Sequence, residues 1–204
     1  FSPLTLTILV GGTALLLVGL MDDWFKSAGK EFPVWPKIFL YLGISTIPLF
    51  FGIRIVGISH FTDSGMILFS GFWSWAATIL WVFAITNMIN FIDGVDGLAA
   101  GIVTLSSLTL LIVSLAKGQS DSAKLAAVLI GACLAFLAYN FHPAKIFMGD
   151  AGATFLGYTL AVVAVDGALK SATFISIFVP VLAIGVPILD TAVVFSRRLL
   201  SGKG

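Results

Sequence analysis

The sequence predicts an all-α protein, a polytopic membrane bundle of about seven transmembrane helices, and three observations carry that prediction. The 204 residues are 59% hydrophobic and only 10% charged, with a mean hydropathy of +1.10, whereas a soluble domain of this length carries about a quarter charged residues. Seven apolar segments approach the roughly 20 residues needed to cross a bilayer as a helix. The alternating segments of about ten residues that would mark a β-barrel are absent. The chain reads as one integral membrane domain over 1–204, without a soluble domain, a low-complexity linker or an internal repeat. Both ends read as cut: it opens "FSPLTLTILV", without Met or a basic leader, and stops at "RRLLSGKG".

Taken in order, the first span is Leu4–Met21, closed by the acids of "MDDWFKSAGK". The second, Lys37–Ile53, starts after the polar stretch that ends in "FPVWP". The third, Phe72–Ile92, is rich in aromatics, as expected for residues facing lipid or its interface. "DGVDG" separates it from the fourth, Leu98–Ala116, and "KGQSDS" separates that from the fifth, Lys124–Phe141. The single cysteine, Cys133, lies in the apolar run "LIGACLAFL" of the fifth span and reads as a small core residue. The sixth span, Ala153–Leu169, follows "HPAKIFMGDAG"; the seventh, Ala172–Phe195, contains Pro187, which should kink it, and Asp190, about 10 Å of helix inside the Arg197–Arg198 edge.

Counting crossings sorts the loops onto two faces. Seven of the 11 Lys and Arg residues (Lys26, Lys30, Lys37, Lys145, Arg197, Arg198 and Lys203) fall on one face, which the positive-inside rule makes cytoplasmic. Asp22, Asp23, Glu31, Asp93, Asp96 and Asp150 fall on that face too, with Asp190 near it; only Asp63, Asp121 and Asp166 lie elsewhere. Acids from distant parts of the chain thus gather on one side. There is no basic tract, so no nucleic-acid partner is expected.

Three constellations on this face carry chemistry. Asp22 and Asp23 are adjacent at a helix end, where carboxylates oppose the dipole and repel one another. That suits a general base or a metal neighbour, or else a solvated helix end; Lys26 is the candidate partner. "NMINFIDGVDG" places Asn87, Asn90, Asp93 and Asp96 at three-residue spacing. On a helix the first three span an arc of about 120°, and Gly94 and Gly97 allow a turn that brings Asp96 back toward Asp93. Polar groups beside hydrocarbon are costly, about 2.5–3.5 kcal/mol for an Asp, so a use is expected, the alternative being a polar capping turn. In "YNFHPAKIFMGDAGATFLGY", Asp150 between Gly149 and Gly152 either caps the sixth span or holds a cation with water and phosphate oxygens, an arrangement Mg²⁺ prefers. Lys145 faces phosphate or snorkels. His142 reads as a packed or interfacial histidine, and His60 lies on the other face. Because the polar groups stand at headgroup level rather than at the midplane on broken helices, as in transporters, the location suits phosphoryl transfer between a soluble anionic substrate and a lipid headgroup.

"DDWFK", "NMINFIDGVDGLAAG" and "IFMGDAGATFLGY" together resemble the three signature regions of the polyprenyl-phosphate N-acetylhexosamine-1-phosphate transferases, glycosyltransferase family 4. The resemblance covers nearly the whole chain. It implies transfer of a sugar 1-phosphate from a UDP-sugar to undecaprenyl phosphate, with Mg²⁺ as cofactor and release of UMP. It further implies Asp150 as the main Mg²⁺ ligand with Asn90 second, Asp22 acting on the lipid phosphate, Asp23 beside the diphosphate, and Asp93, Asp96, Asn140 and Phe147 around the uridine. Lys26 and Lys37 resemble phosphate-facing lysines; Asn87 and Lys145 complete the substrate-binding candidates. The implied partners are UDP-N-acetylhexosamine, undecaprenyl phosphate and membrane lipid, with a homodimer open. The family carries further spans before the first one here and a His-rich loop beyond "RRLLSGK". The motifs look closest to the UDP-N-acetylglucosamine branch; phospho-MurNAc-pentapeptide transferase is the alternative within the family, and a cation transporter or a structural subunit the alternatives outside it.

Overall fold

The computed structural model describes residues 1–30, 32–59 and 66–167. The expected seventh span Ala172–Phe195, with Asp190 and the Arg197–Arg198 edge, lies outside the described residues, as do Glu31, His60 and Asp63. Among the described residues the order is α1 (Pro3–Ser27), α2 (Val34–Ile44), α3 (Ile47–Phe50), β1 (Gly57–Ser59), β2 (Met66–Leu68), α4 (Gly71–Ile92), α5 (Leu98–Ala116), α6 (Ser120–Asn140) and α7 (Gly149–Gly167). Four of these, α1, α4, α5 and α6, are long and apolar enough to cross a membrane. The helical bundle is therefore as expected; the added feature is a two-stranded antiparallel ribbon, β1 on β2, in the loop before α4.

The core is built around α7. Nearly every residue from Ala151 to Val165 is buried, and the helix packs against α1, α4, α5 and α6. A helix apolar on all faces belongs at the centre of a bundle, and small residues let its neighbours' backbones approach closely. A Cβ on Gly157 would stand 2.9 Å from Thr86 Cα of α4, and one on Gly19 of α1 would stand 2.6 Å from the Ala151 nitrogen. Near the opposite end Gly11 and Gly12 accommodate the rings of Tyr158 and Phe155. There α1 runs as a π turn over Ile8–Gly12, and the Tyr158 hydroxyl donates to the Thr7 carbonyl at 3.3 Å.

The expected second span, Lys37–Ile53, is not one continuous helix. It breaks between α2 and α3 because Pro48 has no N–H to give the preceding turn. Ser45 and Thr46 bond back instead to the carbonyls of Tyr41 and Gly43, each at 2.7 Å. The chain then turns through Gly52 at φ +74. Ile55 is pinned to α4 by both of its backbone groups: its N–H donates to Thr78 Oγ1 at 2.9 Å and its carbonyl accepts from Ser74 Oγ at 2.6 Å. This anchors the ribbon at the end of the bundle remote from Asp22 and Asp150.

Candidate active site

The first span runs six residues further than expected, so Asp22, Asp23 and Lys26 sit on the last turns of α1 rather than beyond it. The two adjacent acids point in different directions. Asp22, 2% exposed, accepts on Oδ2 from Lys26 Nζ at 2.9 Å and from Lys37 Nζ at 2.8 Å. The same two ammonium groups reach Asp150 Oδ2, at 2.9 and 2.8 Å. Two cations and two anions thus alternate around one centre, so the charges balance. Lys26 is half exposed and Lys37 mostly covered, with the Lys37 Nζ 5.7 Å from the centre of the Tyr41 ring. Lys26, the expected partner of the acid pair, meets one of the two, Asp22, and Lys37 joins it from α2.

Asp23 turns toward the start of α7. Its Oδ1 accepts from the Asp150 N–H at 3.1 Å and its Oδ2 from the Ala151 N–H at 3.2 Å. Asp150 is therefore inside the first turn of α7 and does not cap it; Asp23 does so from another helix. The dipole argument that made these acids awkward at the end of α1 is answered for Asp23 by the partial positive charge of a helix N-terminus, and for Asp22 by the two lysines.

On α4, Asn90 and Asp93 face the same space as Asp150, but Asn87 does not join them. Its amide bonds back to the Phe83 carbonyl of its own helix at 2.7 Å, so the expected three-residue arc supplies two groups, not three. Asp93 ends α4 as its C-cap. Burial, then the negative charges of Asp150 and Asp23, raise its pKa to about 6. Asp96 does not return toward Asp93. Gly97, at φ +72, turns the chain so that Asp96 Oδ2 meets the loop after α6, accepting from the Ala144 N–H at 3.1 Å and lying 3.0 Å from His142 Nδ1. These two contacts, the N–H first, hold its carboxyl below the usual range.

Asn140 is likewise committed to that loop. It is 5% exposed, accepts from the Gly97 N–H and donates to the Ile146 carbonyl, both at 2.9 Å. Asp96 and Asn140 thus tie residues 96–97 to residues 142–146 and set the loop that presents Phe147. Lys145 is exposed, and its backbone N–H closes the loop onto Tyr139.

The result is a cavity of about 490 Å³ lined by Lys26, Lys37, Asn90, Phe91, Asp93, Gly94, Phe147, Gly149 and Asp150. Residues from α1, α2, α4 and the start of α7 meet there. Of the candidates named from sequence, Asp22 and Asp23 stand behind the lining, Asp96 and Asn140 brace it, and Asn87 and Lys145 are not part of it. Phe91 and Tyr41 were not among those candidates. Phe91, 78% exposed, lies inside the "NMINFIDG" motif, where a large ring flanked by amide and acid was the available signal; nothing in sequence pointed to Tyr41. Among the described residues no three acids, histidines or cysteines group into a metal site made by protein alone. The oxygen donors of Asp150, Asp93 and Asn90 on one open cavity fit an ion such as Mg²⁺, which takes few protein ligands and completes its shell with water and substrate phosphates.

The profile of glycosyl transferase family 4 matches residues 5–168. A probable undecaprenyl-phosphate N-acetylglucosaminyl 1-phosphate transferase of Bacillus subtilis is 37% identical over 196 residues, 95% of this chain and 52% of that protein. A decaprenyl-phosphate N-acetylglucosaminephosphotransferase of Mycobacterium tuberculosis is 31% identical over 96% of this chain and 52% of its own length. A phospho-N-acetylmuramoyl-pentapeptide-transferase of Moorella thermoacetica is 35% identical over 93% of this chain and 59% of its own. The chain spans about half the length of the curated relatives it matches.

Proposed function

Because this chain belongs to glycosyl transferase family 4 and is a multi-pass membrane protein, we propose that it forms the membrane site of an enzyme transferring N-acetylglucosamine 1-phosphate from UDP-N-acetylglucosamine to undecaprenyl phosphate. An oxygen of the lipid phosphate attacks the phosphorus that bears the sugar, a new P–O bond forms, the bond to the uridylate oxygen breaks, and UMP leaves. The site faces the cytoplasm in this reading, in keeping with the bias of Lys and Arg toward that side.

One observation supports this above all: Asp150, Asp93, Asn90, Lys26 and Lys37, from four distant segments, line one cavity with two exposed rings, Phe91 and Phe147. A nucleobase needs an exposed aromatic face, which Phe91 and Phe147 offer, and a diphosphate needs positive charge, which the two lysines together with a bound cation would supply against the acids. Asp150 and Asn90 are the residues that would hold Mg²⁺, with Asp93 beside them; the ion supplies charge neutralisation on the phosphates. Lys26 and Lys37, held between Asp22 and Asp150, would add positive charge beside a phosphate in the cavity. Asp93, on the same cavity, is the carboxylate placed to take a proton from the lipid phosphate.

The test is release of UMP by the full-length protein. It should require UDP-N-acetylglucosamine, undecaprenyl phosphate and a divalent cation together, and Asp150→Asn should lose at least about a hundredfold in turnover, in the range seen when one charge-stabilising group is removed. Wild-type turnover in Asp150→Asn would overturn the assignment. The similarity to the Moorella transferase supports a second reading, in which the donor carries a MurNAc-pentapeptide. Supplying that donor in the same assay separates the two.

A further inference from the structure

We propose that Asp23 is a positioning residue, which clamps the first turn of α7 and thereby aims Asp150. This rests on the phosphotransferase reading above for its consequence in turnover, but not for its structural content. It departs from the family resemblance, which sets Asp23 beside the diphosphate.

Four observations support it. Asp23 does not line the cavity, although Lys26, three residues on, does. Both of its carboxylate oxygens are in use, one on the Asp150 N–H and one on the Ala151 N–H. These are among the N–H groups that a helix start leaves without a partner. The two helices are held at matching height by Gly19, one turn before Asp23, whose missing side chain lets α1 meet the Ala151 backbone. Gly149 completes the clamp: at φ +68 it turns the chain into α7, and a Cβ there would stand 2.8 Å from Asp23 Oδ2. The clamp fixes the backbone of residue 150, and the side chain of that residue is the one that meets Lys26, Lys37 and the cavity.

Asp23 and its neighbour Asp22 then divide the work of the "DD" pair. Asp22 orients the lysines, and Asp23 orients the carboxylate that faces them. Neither needs to touch a substrate. A carboxylate is required at 23 because it accepts two N–H bonds at once and lies on the positive end of a helix.

Amide hydrogen exchange on the intact membrane protein tests this without reference to activity. Losing a cap exposes N–H groups by roughly two- to thirty-fold. Asp23→Ala should accelerate exchange by that factor at Asp150 and Ala151, with residues beyond Thr154 unchanged, and should lower UMP release by at least about the same factor. Asp23→Asn keeps one acceptor oxygen, so it should accelerate exchange at only one of the two amides and retain more turnover than Asp23→Ala.

Unaltered exchange at Asp150 and Ala151 in Asp23→Ala would overturn the proposal whatever the turnover. So would an Asp23→Asn protein with wild-type exchange and no activity, because the charge itself would then act on substrate. If Asp23→Ala does not survive purification, the Asp23→Asn exchange pattern decides alone. A wild-type protein that released no UMP would sink the proposed function yet leave the exchange measurement able to support or refute the clamp.

Discussion

Asp22 illustrates how far a single side chain depends on its neighbours. At 2% exposure its charge is bearable because two ammonium groups stand within 2.9 Å. Lys37→Met removes the better covered of the two, and breaking a buried pair costs about 3–5 kcal/mol; Lys26 remains, so the loss should fall toward the lower value. It would appear as a lower melting temperature in detergent, and adding Asp22→Asn should restore much of it. Asp93 shows the opposite balance. Its folded pKa of about 6 lies above the unfolded value of 3.8. Its carboxyl therefore favours folding most fully below pH 3.8, and that contribution is lost as the pH rises through 6. Asp93→Asn should accordingly melt with the wild type near pH 4 and above it at pH 8, without added divalent cation. A gap independent of pH would refute the cause assigned to the shift.

At the scale of elements, the sequence indicated where helices lie better than where they stop. Asp22 and Asp23 read as a helix end because charge follows an apolar run, yet α1 continues to Ser27, since the lysines and the N-terminus of α7 satisfy those acids. The break inside Lys37–Ile53 has a local signal in Pro48, which the apolar length of the segment hides. The role of Asn140 was not legible: an amide that joins the Gly97 N–H to the Ile146 carbonyl has no local signature. Glycine separates the packing effects. Gly19→Ala forces α1 away from Ala151 and should cost about 1–3 kcal/mol. Gly131→Ala, in α6 with nothing within 4 Å of a new Cβ, should be neutral or stabilising by up to about 1 kcal/mol. Paired melting curves decide, and equal shifts would contradict the close packing at Gly19.

For the whole molecule the claim at stake is that one end of the bundle carries the site and the other does not. Cys133 is buried and is removed first as Cys133→Ser. In that background Gly29→Cys and Phe147→Cys should react with an impermeant maleimide only from the cytoplasmic side, and Gly118→Cys only from the opposite side. Labelling of all three from one side would break the topology on which the proposed function stands.

Local pattern sets the class of fold, the face on which the acids collect and the three motifs, because hydropathy, loop charge and glycine placement are properties of short stretches. Tertiary structure alone decided what each acid does. Asp22, Asp23, Asp93 and Asp96 are alike in chemistry and similarly placed beside helix ends. One holds lysines, one caps a foreign helix, one faces the cavity and one braces a loop. The reason is physical: the energy of a carboxylate is set within a few ångströms, by which donors and charges the other helices bring to it, and no local pattern records those partners.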